Sequence, residues 1–170
     1  MSVIISEAET STHLFFLRGV FSNFQTCNNL RVDGINFTTT EHAFMWLKAK
    51  HFKDEQSAAE ILNARSPADA KKIGRGVRGF NVEEWSKVCF QYMLKVNRIK
   101  YNSNQWLADL LLDTGNKTLV ETNGKDVIWG IGLYATNSDI YNEFKWKGKN
   151  YLGQVLMQVR KELIENNNVN

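Results

Sequence analysis

Between Glu83 and Lys100 the chain places Trp85, Val88, Cys89, Tyr92, Val96 and Ile99 at spacings of three and four. That recurrence follows the 3.6-residue period and draws one apolar stripe along a helix of about five turns. A helix of this length is stabilised mainly by packing its stripe, so the flanking segments must supply a core. Most of them are helical in pattern. Thr39 to about Phe52 reads as a helix with Ala43, Phe44 and Leu47 apolar, and Glu55–Ala64 as a shorter one. Ser66-Pro67 opens a third, with Ser66 as N-cap and Pro67 at the first helical position, ending near Gly74 or Gly76. Ser103–Asp113 turns Trp106, Leu107, Leu110 and Leu111 inward and stops at Gly115. Asn150–Ile164 closes the chain with Leu152, Val155, Leu156, Val159 and Leu163 on one side.

Strand signals are few and short. His13–Leu17 is an apolar run, and Leu30–Phe37 is split by Asp33-Gly34, a hairpin signal. Leu119–Thr122 and Val127–Leu133 read as strands around a Gly124-Lys125 turn. The expectation is an α+β fold, a mostly helical single domain with a small β-sheet over residues 1–165, and a polar tail at 166–170.

The chain's 170 residues suit one core. A net charge of +3, with scattered basic residues, disfavours a dedicated nucleic-acid surface while leaving room for phosphate ligands. Cys27 and Cys89 lack metal-ligand spacing and read as reduced thiols of a cytoplasmic protein. No secretory signal and no apolar run of membrane-spanning length is evident, so no membrane partner is expected. His13 and His51 have no carboxylate or thiol at metal spacing, and no metal site is expected.

Several segments form an ordered set of motifs. They are Gly19-Val20-Phe21-Ser22-Asn23-Phe24, Asp33-Gly34 leading to Thr40-Glu41-His42-Ala43-Phe44, Lys48-Ala49-Lys50-His51-Phe52, Lys72-Ile73-Gly74-Arg75 and Trp85. Further on come Leu111-Leu112-Asp113-Thr114-Gly115, Leu119-Val120-Glu121, Asp126-Val127-Ile128-Trp129-Gly130-Ile131-Gly132 and Gly148-Lys149-Asn150-Tyr151-Leu152-Gly153. In that order they resemble the YbiA-like or NADAR N-glycosidases, and the resemblance implies a YbiA-like fold and hydrolysis of a C1′–N bond, with no cofactor. The implied substrates are ribosylamino-pyrimidine phosphates, intermediates of riboflavin biosynthesis. A second branch of the family implies removal of ADP-ribose from guanine in nucleic acid, and a third possibility is a non-catalytic ADP-ribose sensor.

The residues fit that chemistry, each beside a plainer role. Glu41 is the leading acid/base group, since cleavage at an anomeric carbon needs a proton delivered or a water activated. Thr38-x-x-Glu41 is also a capping-box pattern, which would turn the carboxylate back to the Thr38 amide. Lys48 shares a helix face with Glu41 and would act as electrostatic partner or as a Schiff-base nucleophile; its plainer role is a surface ion pair. Asp126 is a second catalytic carboxylate or a turn residue. Arg18 and Arg75 are phosphate ligands or solvated arginines. Gly19, Ser22 and Asn23 are substrate-binding candidates or turn residues. Trp85 and Trp129 would stack on the base, with core packing the alternative for Trp85, and Trp146 is a weaker pocket candidate.

Overall fold

The computed structural model describes residues 5–167. In chain order it contains strands β1 (Ala8–Glu9), β2 (His13–Phe16), β3 (Thr26–Val32) and β4 (Ile35–Thr39), then helices α1 (Thr40–His51), α2 (Glu55–Leu62), α3 (Pro67–Arg75), α4 (Val82–Asn102) and α5 (Gln105–Leu112). Strand β5 (Thr118–Glu121), two 3-10 turns at Ser138–Tyr141 and Glu143–Lys145, and helix α6 (Tyr151–Asn167) complete it. The expected α+β composition, mostly helical, is what forms. Asn166 and Asn167, expected in a polar tail, belong to α6, while residues 168–170 lie outside the described part. None of the described helices is long and apolar enough to cross a membrane. The chain gathers into two compact units, one made of the segment up to Ser22 with everything from Gln105 on, the other of Asn23–Asn104.

In the first unit β2 lies between β1, antiparallel to it, and β5, parallel to it. Leu14, Phe15 and Phe16 are all buried, as a central strand covered on both faces requires. Phe15 and Val120 pack with Ile131, Leu133 and Ile140. Helix α6 buries the five residues its sequence pattern named, and Gly153 brings it close to β5, where a Cβ would stand 2.0 Å from the Leu119 carbonyl oxygen. Just before α6, the buried Asn150 pairs with β5 as a neighbouring strand would. Its Oδ1 accepts from Glu121 N at 3.0 Å and its Nδ2 donates to Leu119 O at 2.8 Å.

The stretch Val127–Leu133 is not a strand. Asp126 Oδ1 accepts the N–H groups of Ile128 (3.0 Å) and Trp129 (2.8 Å) and bends the chain at once. The carbonyls of Val127, Gly130, Ile128 and Trp129 then accept from the N–H groups of Lys149, Asn150, Tyr151 and Leu152. Donors at a helix start have no partner inside the helix, and this loop supplies them. A run whose carbonyls cap α6 cannot also join a ladder. The room left by Gly130 and Gly132 is taken by the protein itself, with Glu121 O 2.9 Å from a Cβ built on Gly130 and Lys147 Cβ 3.0 Å from one on Gly132. Helix α5 buries Leu107, Ala108 and Leu111, while Trp106, expected inward, is exposed.

In the second unit β3 and β4 form the expected hairpin, with Val32 opposite Ile35 and Leu30 opposite Phe37. Asp33 and Gly34 take positive φ angles of 48° and 85°, the conformation a two-residue hairpin loop of right-handed twist demands. Helix α3 starts at its Ser66 cap and Pro67 and ends on Gly76. The buried face of α4 is rotated from its apolar stripe: Cys89, Met93, Leu94, Val96, Asn97, Lys100 and Tyr101 are inside, while Trp85, Val88, Tyr92 and Ile99 sit half-buried at its edge. Met93, Leu94 and Tyr101, apolar but off the stripe, make part of the difference, and the polar Asn97 and Lys100, which period counting assigns outward, make the rest.

Lys100 is wholly buried, and desolvation pushes its pKa down to about 8 from 10.5. Between those values the unfolded chain holds more protons than the folded one, so this lysine makes stability rise with pH across that window. Burial pushes the Tyr101 hydroxyl up, which acts in the opposite sense above its usual 10.0. Urea unfolding from pH 8 to about 9.5 is therefore expected to show stability rising more steeply in the wild type than in Lys100→Met. Equal slopes in the two proteins would remove this account of Lys100.

Candidate active site

Helix α1 is buried along nearly its whole length, from Thr40 through Ala49. A helix covered all round is ordinarily apolar, yet this one carries Thr40, Glu41, His42 and Lys48 inside. Its start is fixed by Thr39, not Thr38: the Thr39 Oγ1 accepts from His42 N at 3.3 Å and shares a 2.8 Å hydrogen bond with His42 Nδ1. His42 Nε2 reaches the carbonyl of Ala64, 3.3 Å away. With the cap one residue later, Glu41 falls at the second helical position rather than the third. The capping-box geometry that competed with a chemical role for this carboxylate is therefore not formed.

Asn23 holds the same helix end. Its carbonyl accepts from Glu41 N at 3.1 Å, and its Oδ1 accepts from Thr40 Oγ1 at 3.0 Å and from Asn97 Nδ2 at 3.4 Å. Its own Nδ2 donates to Met93 Sδ at 3.3 Å. Asn97, inside α4 and fully buried, also donates to Met93 O at 3.0 Å. The rotated face of α4 thus brings a buried amide to Asn23, and Asn23 sets the position of Thr40 and Glu41.

Two turns along α1, Lys48 is 8% exposed, and its ammonium donates to the carbonyl of Gly74 at 2.8 Å. It lies 4.1 Å from the centroid of Phe80 and 5.9 Å from that of Trp85. Desolvation lowers its pKa below 10.5. Glycine at position 74 is required by packing, since a Cβ there would stand 2.1 Å from Met45 Sδ of α1. Arg75, next in sequence, is exposed at the end of α3. Trp85 is half-buried at the start of α4, stacked on Tyr92 and close to Phe44, His51 and Phe52. The sequence reading did not single out Phe80 or Asn97. Phe80 had a signal: with Asn81 as the α4 cap, Phe80 and Trp85 occupy the two hydrophobic-staple positions. Asn97 had none, because a lone Asn in a helix reads as surface.

The remaining expected site residues belong to the other unit. Arg18 is exposed, Gly19 has a φ of 78°, and Ser22 is buried with its N–H donating to Gly19 O at 3.0 Å. Asp126 shapes the turn described above, and Trp129 is half-buried with its ring 6.1 Å from that of Tyr151. Trp146 donates its ring N–H to Ile140 O and packs against the Phe15 cluster.

Residues 12–164 match the family model of the NADAR domain. The chain belongs to the NADAR domain family. The N-glycosidase R617 of Acanthamoeba polyphaga mimivirus is 41% identical over 126 residues, covering 74% of this chain and 74% of that protein. The N-glycosidase YbiA of Escherichia coli is 36% identical over 145 residues, 85% of this chain and 81% of its own length. The solution structure of E. coli YbiA superposes with a TM-score of 0.75 at 33% identity, covering 96% of this chain and 91% of that one, so the fold is YbiA-like. The riboflavin biosynthesis protein VVA0006 of Vibrio vulnificus is 31% identical over 147 residues, 86% of this chain but 36% of that longer protein.

Replacing Asn23 with Ala removes the side-chain acceptor of the Thr40 hydroxyl, leaving only the backbone carbonyl 3.2 Å away, and removes a partner of Asn97 inside the protein. Unfolding in urea is expected to show a loss of about 1–3 kcal/mol. A variant as stable as the wild type would show that this amide does not hold the start of α1.

Proposed function

We propose that this chain is an N-glycosidase that hydrolyses the C1′–N bond of a ribosylamino-pyrimidine bearing a 5-phosphate. The observation that carries the proposal is a buried carboxylate and a buried amine on one face of one helix, with aromatic rings beside the amine. Seven residues separate Glu41 from Lys48, a rise of about 10 Å and an angular offset of about 20°. That spacing suits a ligand lying along α1, its sugar between the two groups. The relatives that carry the name N-glycosidase support the reaction class. The Vibrio relative, by its name, supports a riboflavin intermediate as the compound cleaved.

In this reading Glu41 delivers a proton to the departing nitrogen while positive charge develops on the sugar, then helps water add at C1′. The nitrogen leaves with the proton, and the hydroxyl remains on the sugar. Lys48 serves in one of two ways. As an ammonium it shapes the electrostatics of the pocket. As a free amine it attacks C1′ of the ring-opened sugar, forms an imine and expels the base, and water then releases the sugar. Its lowered pKa raises the fraction of free amine available for the second route. Arg75 receives the 5-phosphate, to which its planar fork offers two parallel hydrogen bonds.

Glu41→Gln is expected to lower kcat by at least about 100-fold with the fold retained by circular dichroism. Normal turnover in that variant would falsify the acid/base role. The pH profile separates the two roles of Lys48. Because its pKa is depressed, an attacking amine makes kcat rise with pH over a range below 10.5, whereas an electrostatic ammonium makes it fall there. Borohydride added during turnover is expected to fix the sugar phosphate on Lys48 only in the first case, as a mass increase on its peptide.

A further inference from the structure

The Trp85 indole is a crowded platform. Tyr92 stacks on it at 5.7 Å and 22°, Phe44 lies tilted at 5.4 Å, and His51 and Phe52 approach at 5.9 and 6.0 Å. Around it His51 is further tied, its Nε2 2.8 Å from Glu84 Oε1 and its Nδ1 3.1 Å from the Tyr92 hydroxyl. An indole with this many ring neighbours has much of its π surface already engaged. It is suited to backing a pocket.

Phe80 is built differently. It is 43% exposed, with its ring edge-to-face with Phe52 at 5.4 Å and 69° and the Lys48 ammonium 4.1 Å from its centroid. The loop that presents it is pinned on both sides. Two residues earlier, Arg78 donates its backbone N–H to Asp54 Oδ2 at 2.8 Å and its Nη2 to Asp54 Oδ1 at 2.6 Å. That arginine holds the Asp54 carboxyl far below the usual carboxylate range. Gly79 takes a φ of 73°, and one residue later Asn81 Oδ1 caps α4 by accepting from Glu84 N at 2.9 Å. A single exposed phenyl group is ordinary on a protein surface. This one is unusual because a pinned loop holds it against the amine of the candidate site.

We propose that Phe80 is a substrate-contacting residue whose ring stacks against the planar base of the leaving group. It thereby sets a preference for flat heterocyclic leaving groups over non-aromatic ones. The proposal rests on the N-glycosidase reading of this site. The ammonium engages the ring electrostatically, and the exposed part of the ring is left for the base.

The test uses the full chain and its Phe80→Leu and Phe80→Tyr variants. Release of ribose 5-phosphate from the ribosylaminopyrimidine phosphate gives KM and kcat. Calorimetry gives the affinities for the free aminopyrimidine base and for ribose 5-phosphate alone. Phe80→Leu is expected to raise KM and weaken base binding about tenfold. In the same variant kcat stays within about threefold and ribose 5-phosphate binds as before, while Phe80→Tyr behaves as the wild type. Unchanged KM and base affinity in Phe80→Leu overturn the proposal. So does an equal loss for ribose 5-phosphate, which marks a purely structural role, or a wild type that binds no base. Weakened base binding in a protein that releases no ribose phosphate supports Phe80 as the stacking surface while removing the glycosidase reading, so the two fail separately.

Discussion

Helix α1 has to place a carboxylate and an amine inside the protein without water to solvate them. Stripping an ion of water is expensive, and the cost is offset only by hydrogen bonds and favourable fields at the new position. Lys48 meets that demand with a carbonyl at the end of α3 and a phenyl face. The carbonyl is within reach because residue 74 is glycine and the two helices can close on Met45. Small residue, close packing and available carbonyl are one arrangement, and the burial that comes with it, by desolvation, lowers the pKa of Lys48.

The other end of α1 depends on a side chain that is not on the helix. The Asn23 side chain accepts from Thr40 and from Asn97 inside α4, and its backbone carbonyl accepts from Glu41 N. Buried amides of this kind favour one arrangement over many, since every displaced donor or acceptor loses a partner that water cannot replace. The same device recurs in the other unit, where Asn150 bonds to two successive groups on one edge of β5 and the 127–130 carbonyls take the N–H groups entering α6. In each unit an Asn side chain does the work that a further strand or a longer helix would do elsewhere.

Local chemistry made much of this legible. The Asp33-Gly34 turn, the Ser66-Pro67 start, the inward face of α6 and the helix beginning at about Thr39 all follow from rules that act over a few residues, and all formed. The misreadings share a physical cause. Val127–Leu133 has the apolar run of a strand, yet its carbonyls are claimed by residues 149–152, some twenty positions away. The α4 stripe was misplaced because the inward face takes Met93, Leu94 and Tyr101, and with them Asn97 and Lys100, which are polar by type. Glu41 looked like half of a capping box because a cap at Thr38 and a cap at Thr39 differ by one residue of pattern, and His42 decides between them.

The sequence by itself determined the α+β class, most of the helices and the hairpin, because periodicity, caps and turn residues act within a turn or two of chain, and the resemblance of its ordered motifs pointed to the NADAR family. Only the tertiary structure decided that Gly74 serves Lys48 and that Phe80 rather than a motif residue lies on the amine. Those outcomes depend on which carbonyl, ring or amide arrives from a distant element. Residue type sets what each group needs, while the packing of separate helices sets what it meets.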